Sequence, residues 1–151
     1  GYVSRIHYTS EWINQNSKRG IMREFTSEIG EPLDQKFSYM SSHSDSYKQL
    51  KDCPDRIREI ANVENAIAQC APFFYIPQDK IEENASRIQN GDIICFRSNV
   101  EGLDIAHVAL AYWLDGELKF IHASFKEKKV VIDRQTIADY AKNGIRVVRL
   151  N

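Results

Sequence analysis

His107 and His122 are the residues of this sequence best placed for chemistry. The run Asp104 to Ser124 reads as two apolar, partly alternating strands around Asp115-Gly116, a pair favoured in two-residue type I′ hairpin turns. With that pair at the centre of the turn, Leu114 faces Glu117, Trp113 faces Leu118 and Ala111 faces Phe120; farther in, Ala109 faces His122 and His107 faces Ser124. Side chains alternate faces with period two, so His107, Ala109, His122 and Ser124 share one face. The histidines are then diagonal neighbours, about 7 Å apart at the backbone and within reach through their rings.

Two adjacent imidazoles fit three roles. They can be satisfied structural residues at a sheet end. They can ligate a metal, but the third ligand would have to be Asp104 or a distant group, and no HExxH or CxxC pattern supports it, so no metal is expected. They can serve a cysteine nucleophile, one ring taking the thiol proton and the second orienting the first through its other nitrogen.

The elements that must position this pair follow from periodicity and breakers. A helix is expected around Ser10 to Asn16, with Ser10 capping its start, and Gly30-Glu31-Pro32 closes that region. Ser38 to Ser46 is serine-rich and reads as a loop. A longer helix is expected from about Pro54 to Gln69, because proline suits the first helical position and Ile57, Ile60, Val63, Ala66, Ile67 and Cys70 recur at helical spacing. Phe73 to Pro77 is extended, a short helix runs through Ile81 to Ile88 until Asn90-Gly91, and Asp92 to Phe96 is a buried strand. After the hairpin come a strand at Lys129 to Ile132, a helix following Asp133 that ends at Asn143-Gly144, and a last strand from Ile145 to Leu150. Helices in the first half and antiparallel strands in the second give an α+β class.

The 151 residues suit a single domain able to bury about 70% of its unfolded surface. Twenty basic residues against 21 acidic ones leave no global field toward nucleic acid or an anionic membrane. The longest apolar runs are far too short to span a bilayer, so no integral membrane segment is expected in this chain. Three cysteines, Cys53, Cys70 and Cys95, have no metal-like spacing and cannot all pair within one chain. Gly1 to Arg5 lacks both an initiator Met and the plan of a signal peptide, and native sequence is expected ahead of Gly1. Asn84-Ala85-Ser86 fits a glycosylation acceptor by pattern, a triplet common by chance.

Three segments carry a family resemblance: Asn90-Gly91-Asp92-Ile93-Ile94-Cys95-Phe96, then Ile105-Ala106-His107-Val108-Ala109-Leu110-Ala111, then Phe120-Ile121-His122-Ala123-Ser124. Their series resembles that of the NlpC-type papain-like cell-wall peptidases. The opening Val3 to Trp12, the Tyr75-Ile76-Pro77 step, Gly102-Leu103-Asp104 and the ending Gly144 to Leu150 are similar to the bacterial N-acetylmuramoyl-L-alanine amidase-like branch of that superfamily, over nearly the whole chain.

The resemblance implies a papain-like fold with a helical N-terminal part and a C-terminal antiparallel sheet. It implies a cysteine amidase, without cofactor, that hydrolyses the N-acetylmuramoyl-L-alanine amide bond of muropeptides in the bacterial cell envelope, with the periplasm as the compartment implied by family alone. By position His107 is the general base and His122 its orienter. The family's nucleophile sits at a helix start in a segment like Cys-Thr-Thr-Phe, which this sequence lacks, so the chain is expected to hold the C-terminal part of the catalytic domain with the nucleophile upstream of Gly1. Cys95 reads as a buried strand residue, Cys70 ends a helix rather than starting one, and Cys53, just before Pro54, comes nearest to an activated position. Where relatives often carry Ser-His-Val-Gly, Ala106-His107-Val108-Ala109 adds a methyl beside the base.

Substrate contacts are expected from Arg5, His7, Tyr8 and Trp12, an aromatic and cationic cluster suited to a sugar face and a carboxylate, or alternatively an amphipathic edge folded on the core. Asp104, three residues before His107, either contacts substrate or caps its turn, and Ser124 lies opposite His107. Two other functions stay open: an endopeptidase cutting the stem peptide after D-Glu, and a non-catalytic muropeptide-binding fragment.

Overall fold

The computed structural model describes residues 1–151. Six antiparallel strands form the main sheet: β1 (Met22–Glu24), β4 (Ile93–Arg97), β5 (Ile105–Leu114), β6 (Glu117–Ser124), β7 (Lys129–Ile132) and β8 (Ile145–Leu150), in the order β1-β8-β4-β5-β6-β7. A small second sheet pairs β2 (Glu31–Leu33) with β3 (Phe73–Tyr75). The helices are α1 (Thr9–Lys18), α2 (Thr26–Ile29), α3 (Tyr39–Ser42), α4 (Pro54–Ala68), α5 (Gln78–Asn84) and α6 (Ile137–Tyr140). The α+β class expected from the sequence is the one found.

The hairpin has the expected register, with Leu114↔Glu117, Trp113↔Leu118 and Ala111↔Phe120 paired and the ladder running to Leu110↔Ile121. Asp115 at φ 53° and Gly116 at φ 79° both sit in the left-handed region that a type I′ turn requires.

Each face of the sheet has its own core. On one, Ile94 and Phe96 of β4, Ala109 and Ala111 of β5, Leu118 and Phe120 of β6 and Val147 of β8 pack against α5 and α6. On the other, Ile93, Cys95 and Val148 pack with Ile13 of α1 and Met22. A third cluster, built on Tyr8, Phe37, Leu50, Ile60 and Ile67, ties α4 to the N-terminal segment. Between Phe96↔His107 and Arg97↔Ile105 the ladder shifts register. This bulge spends Ala106 without a partner, so His107 stays on the face of Phe96 while Ile105 turns to the Cys95 core.

Several expectations are corrected. Ser10 does not cap α1: the helix starts at Thr9 with Tyr8 in the cap position, and the Ser10 side chain is buried elsewhere. The serine-rich segment is not plain loop, since it holds α3 and a 3-10 turn at Ser44–Ser46, with Met40 anchored in the third cluster. The first half also contributes strands: β1 lies against β8 with Met22↔Leu150, and β2 pairs with β3. Such three-residue strands are too short to show a period, and their partners are remote in sequence.

Candidate active site

His107 on β5 and His122 on β6 point into one open cavity of about 930 Å³, which Ser124, Asp133 and Tyr140 also line. The imidazoles cross at 81° with centroids 5.0 Å apart, and His107 Nε2 lies 2.8 Å from His122 Nδ1. His122 Nε2 lies 2.9 Å from Asp133 Oδ2. The three residues therefore form a line of hydrogen bonds. With both nitrogens of His122 engaged, the group does not converge on a common point as metal ligands would.

Asp133 is itself fixed. Its backbone N–H donates to the Phe120 carbonyl at 3.0 Å, and its Oδ1 accepts from the Gln135 N–H at 2.9 Å. A carboxylate only accepts hydrogen bonds, so His122 Nε2 carries a proton. In a neutral ring Nδ1 is then an acceptor, so His107 donates through its Nε2. The bare lone pair left over is on Nδ1 of His107, the half-buried member of the chain.

Aromatic rings hold the pair from the core side. Phe96 lies nearly parallel to His107, at 16° with centroids 6.1 Å apart, and Phe120 packs at 4.8 Å from His122. Tyr140 of α6 contacts Phe96 at 4.7 Å and Phe120 at 4.8 Å. This apolar surrounding lowers the pKa of His107 below its ordinary 6.5 through burial first, then through the neighbouring His122. The ring is kept neutral near pH 7, as a proton acceptor must be.

Of the other residues singled out in the sequence, only Ser124 lines this cavity, with its Oγ accepting from the Glu127 N–H at 3.1 Å. Tyr8 is 2% exposed, donates its hydroxyl to Glu64 Oε2 at 2.5 Å and accepts from the Met40 N–H at 3.1 Å, so it is a core residue and not a platform. His7 Nε2 bonds the Tyr2 carbonyl at 2.9 Å, and Arg5 is exposed. Trp12 packs beside the Ile93–Cys95 core on the opposite face of the sheet. Asp104 is 1% exposed: Oδ2 accepts from the backbone N–H and hydroxyl of Ser10, and Oδ1 from the Ile105 N–H. It is a structural acceptor, not a substrate contact.

No cysteine lines the cavity. Cys95 faces the opposite core, fully buried, and burial pushes its thiol up to about 12. Cys53 stands at the N-terminal end of α4 and Cys70 is exposed just past its other end.

Asp133 was not singled out by sequence reasoning, which used it only to mark the start of a helix. The missing signal is register. Once β7 is paired to β6 through His122↔Val131, period two returns Asp133 to the face of His122.

Residues 1–145 match the model of a family described as AmiA-like: N-acetylmuramoyl-L-alanine amidase-like. Two crystal structures of an N-acetylmuramoyl-L-alanine amidase from Bacteroides uniformis ATCC 8492 superpose with TM-scores of 0.91 and 0.92 at 33% identity, over 100% of this chain and 66% of theirs. A Bacteroides fragilis protein provisionally named a xylanase is 37% identical with a TM-score of 0.87, covering 99% of this chain and 67% of its own. A Legionella pneumophila protein at 23% identity and a TM-score of 0.66 shares the fold. None of the curated proteins matches. The chain thus spans 66% of the length of the amidases it resembles. No helix is long and apolar enough to cross a membrane.

Proposed function

The chain belongs to the N-acetylmuramoyl-L-alanine amidase-like family, and from that premise we propose that it supplies the histidine half of a papain-like cysteine amidase. Its substrate is a peptidoglycan fragment, and the bond cut is the amide between the muramyl lactyl group and L-alanine. The observation that carries this reading is the line His107–His122–Asp133, with bonds of 2.8 Å and 2.9 Å, opening into a cavity.

His107 takes the proton of a cysteine thiol at Nδ1, and the thiolate attacks the amide carbon. The tetrahedral oxyanion collapses to a thioester as the amine of L-alanine leaves with the proton from His107. Water, deprotonated by the same nitrogen, attacks the thioester carbonyl; the muramyl carboxylic acid departs and the thiol is restored. His122 holds the His107 ring in the tautomer that leaves Nδ1 bare, and Asp133 does the same for His122.

The thiol comes from a segment outside these 151 residues, a reading supported by the lack of any cysteine on the cavity wall and by the greater length of the related amidases. Residues 1–151 are then one part of a catalytic domain that the thiol-bearing segment completes. Cell-wall substrates place the reaction in the bacterial envelope, and the periplasm is the compartment proposed. Glycoside cleavage fits the cavity less well, because it needs two carboxylates flanking the bond. Asp133 has one oxygen on His122 and the other on the Gln135 N–H, leaving Glu127 alone among the cavity acids.

The test is mass analysis after a defined muropeptide is incubated with the full-length protein. A sugar with a free lactyl carboxylate plus an intact peptide is expected. A released dipeptide with the sugar still attached would assign the endopeptidase reaction instead, and no turnover would leave a binding fragment.

A further inference from the structure

Away from the histidines, a second cleft of about 480 Å³ lies between the end of β4, the loop at 98–103 and the connection from α6 to β8. Arg97, the last residue of β4, lines it. Its guanidinium carbon sits 4.6 Å from the centre of the Tyr75 ring, and Nη1 donates to the Asn143 carbonyl at 3.0 Å. Those two contacts hold the plane of the group without neutralising it.

The other well-packed arginines of this protein have counter-ions. Arg146 pairs with Glu24 at 2.9 Å and Arg149 with Asp92 at 2.8 Å. Arg97 has no carboxylate within ion-pair distance, and its Nε is the one buried side-chain polar atom in the structure without a hydrogen-bond partner. Folded proteins leave few such donors unpaired, and each calls for an explanation. Burial holds this guanidinium below the usual arginine range, and the charge of Arg146 adds to the effect, as expected for a half-buried cation without an anion. Lys36 and Lys142 also line the cleft; of its two acids, Asp34 is paired with Lys36 at 3.2 Å.

We propose that this cleft binds the carboxylate group of a small ligand, gripped by the Arg97 guanidinium with Lys142 as a flanking charge. The planar fork of a guanidinium matches the two oxygens of a carboxylate, whereas a lysine offers only a point charge. Nη1 donates to Asn143 and Nε is closed off from solvent, so the ligand is met by the remaining N–H groups of the guanidinium. The site is separate from the histidine line and does not depend on the reaction assigned to it.

The experiment is a titration of the protein with glutarate, followed by amide NMR, with inorganic phosphate in a parallel arm. Saturable shifts at Ser98 and Asn143 are expected, with a Kd of about 1 mM or tighter. Arg97→Lys keeps the charge but loses the fork, and weakens glutarate by about tenfold. Lys142→Ala changes an exposed side chain and weakens it by about two- to threefold. Absence of saturable shifts, wild-type affinity in either variant, or phosphate binding tighter than glutarate overturns the proposal. Should Arg97→Lys fail to fold, Lys142→Ala and the phosphate arm decide it.

Discussion

The 2.8 Å contact between His107 Nε2 and His122 Nδ1 sets the protonation of both rings, because His122 is committed at its far side to Asp133. An isolated histidine pair has no preferred order of donor and acceptor. The carboxylate breaks that symmetry and directs the free lone pair to His107 Nδ1.

On the proposed reaction, Asp133→Asn in the full-length protein is therefore expected to lower kcat while leaving the fold intact. The amide can present its N–H₂ to His122 Nε2, which inverts the tautomer and turns the His107 donor toward another donor. A loss of about a hundredfold or more in kcat with little change in KM is expected, by analogy with the carboxylate of a Ser-His-Asp triad. A purely structural role for Asp133 predicts instead a drop in Tm with kcat per folded molecule preserved. Asp133→Glu, which keeps the acceptor, should restore part of the rate.

The lowered pKa of His107 fixes the sign of two pH effects. Its ring stays neutral to a pH below 6.5, so the acid limb of kcat/KM should fall below that value rather than at it. For stability, a histidine with a depressed folded pKa favours the folded state above its unfolded value of 6.5, and this contribution is lost as pH falls through the folded pKa. Histidine NMR titration of the native protein checks both, and a His107 midpoint above 6.5 would contradict the burial account.

Much of the site was legible because a two-residue turn specifies its register over several pairs. Asp115-Gly116 fixes Trp113 opposite Leu118, and from there alternation alone carries His107 and His122 to one face. The bulge at Ala106 lies beyond the reach of that rule, and so do pairings between remote segments such as Met22↔Leu150. The opening cluster shows a different limit. Arg5, His7, Tyr8 and Trp12 have types suited to binding, but composition cannot tell a phenol facing a ligand from one facing Glu64, which is itself 2% exposed inside α4. Glu64 falls on the apolar stripe of that helix, and only its partner explains why a carboxylate is there.

Ser10→Ala tests a second buried network. The Ser10 hydroxyl donates to Asp104 at 2.6 Å and accepts from Arg146, which in turn holds Glu24 through two bonds of 2.9 Å. Removing the hydroxyl leaves Asp104 its bonds to the backbone N–H groups of Ser10 and Ile105, while Arg146 loses one acceptor. A destabilisation of about 1–3 kcal/mol is expected from denaturant midpoints at constant m. A cost near zero would mean that water replaces the hydroxyl.

Gly144→Ala probes the seam between the two sheets. Gly144 has φ +82° and stands just before Ile145, whose N–H and carbonyl exchange bonds of 3.0 Å and 2.8 Å with Ile76. An added Cβ meets the Ile76 carbonyl oxygen at 2.6 Å and the Tyr75 ring at 2.9 Å, so β3 and β8 must part or the backbone must leave the left-handed region. The conformational term costs about 1–3 kcal/mol, and the contact adds to it because the obstructing atom is backbone. A total of about 2–4 kcal/mol in chemical denaturation is expected, together with faster exchange of the Ile76 and Ile145 amides. Ile145 and Ile76 both belong to the core that backs Phe96 and Phe120, so the same opening should loosen the aromatic support behind His107 and His122. Protection lost at Ile76 and Ile145 with the His107–His122 contact unchanged would show that the seam and the histidine line are mechanically independent.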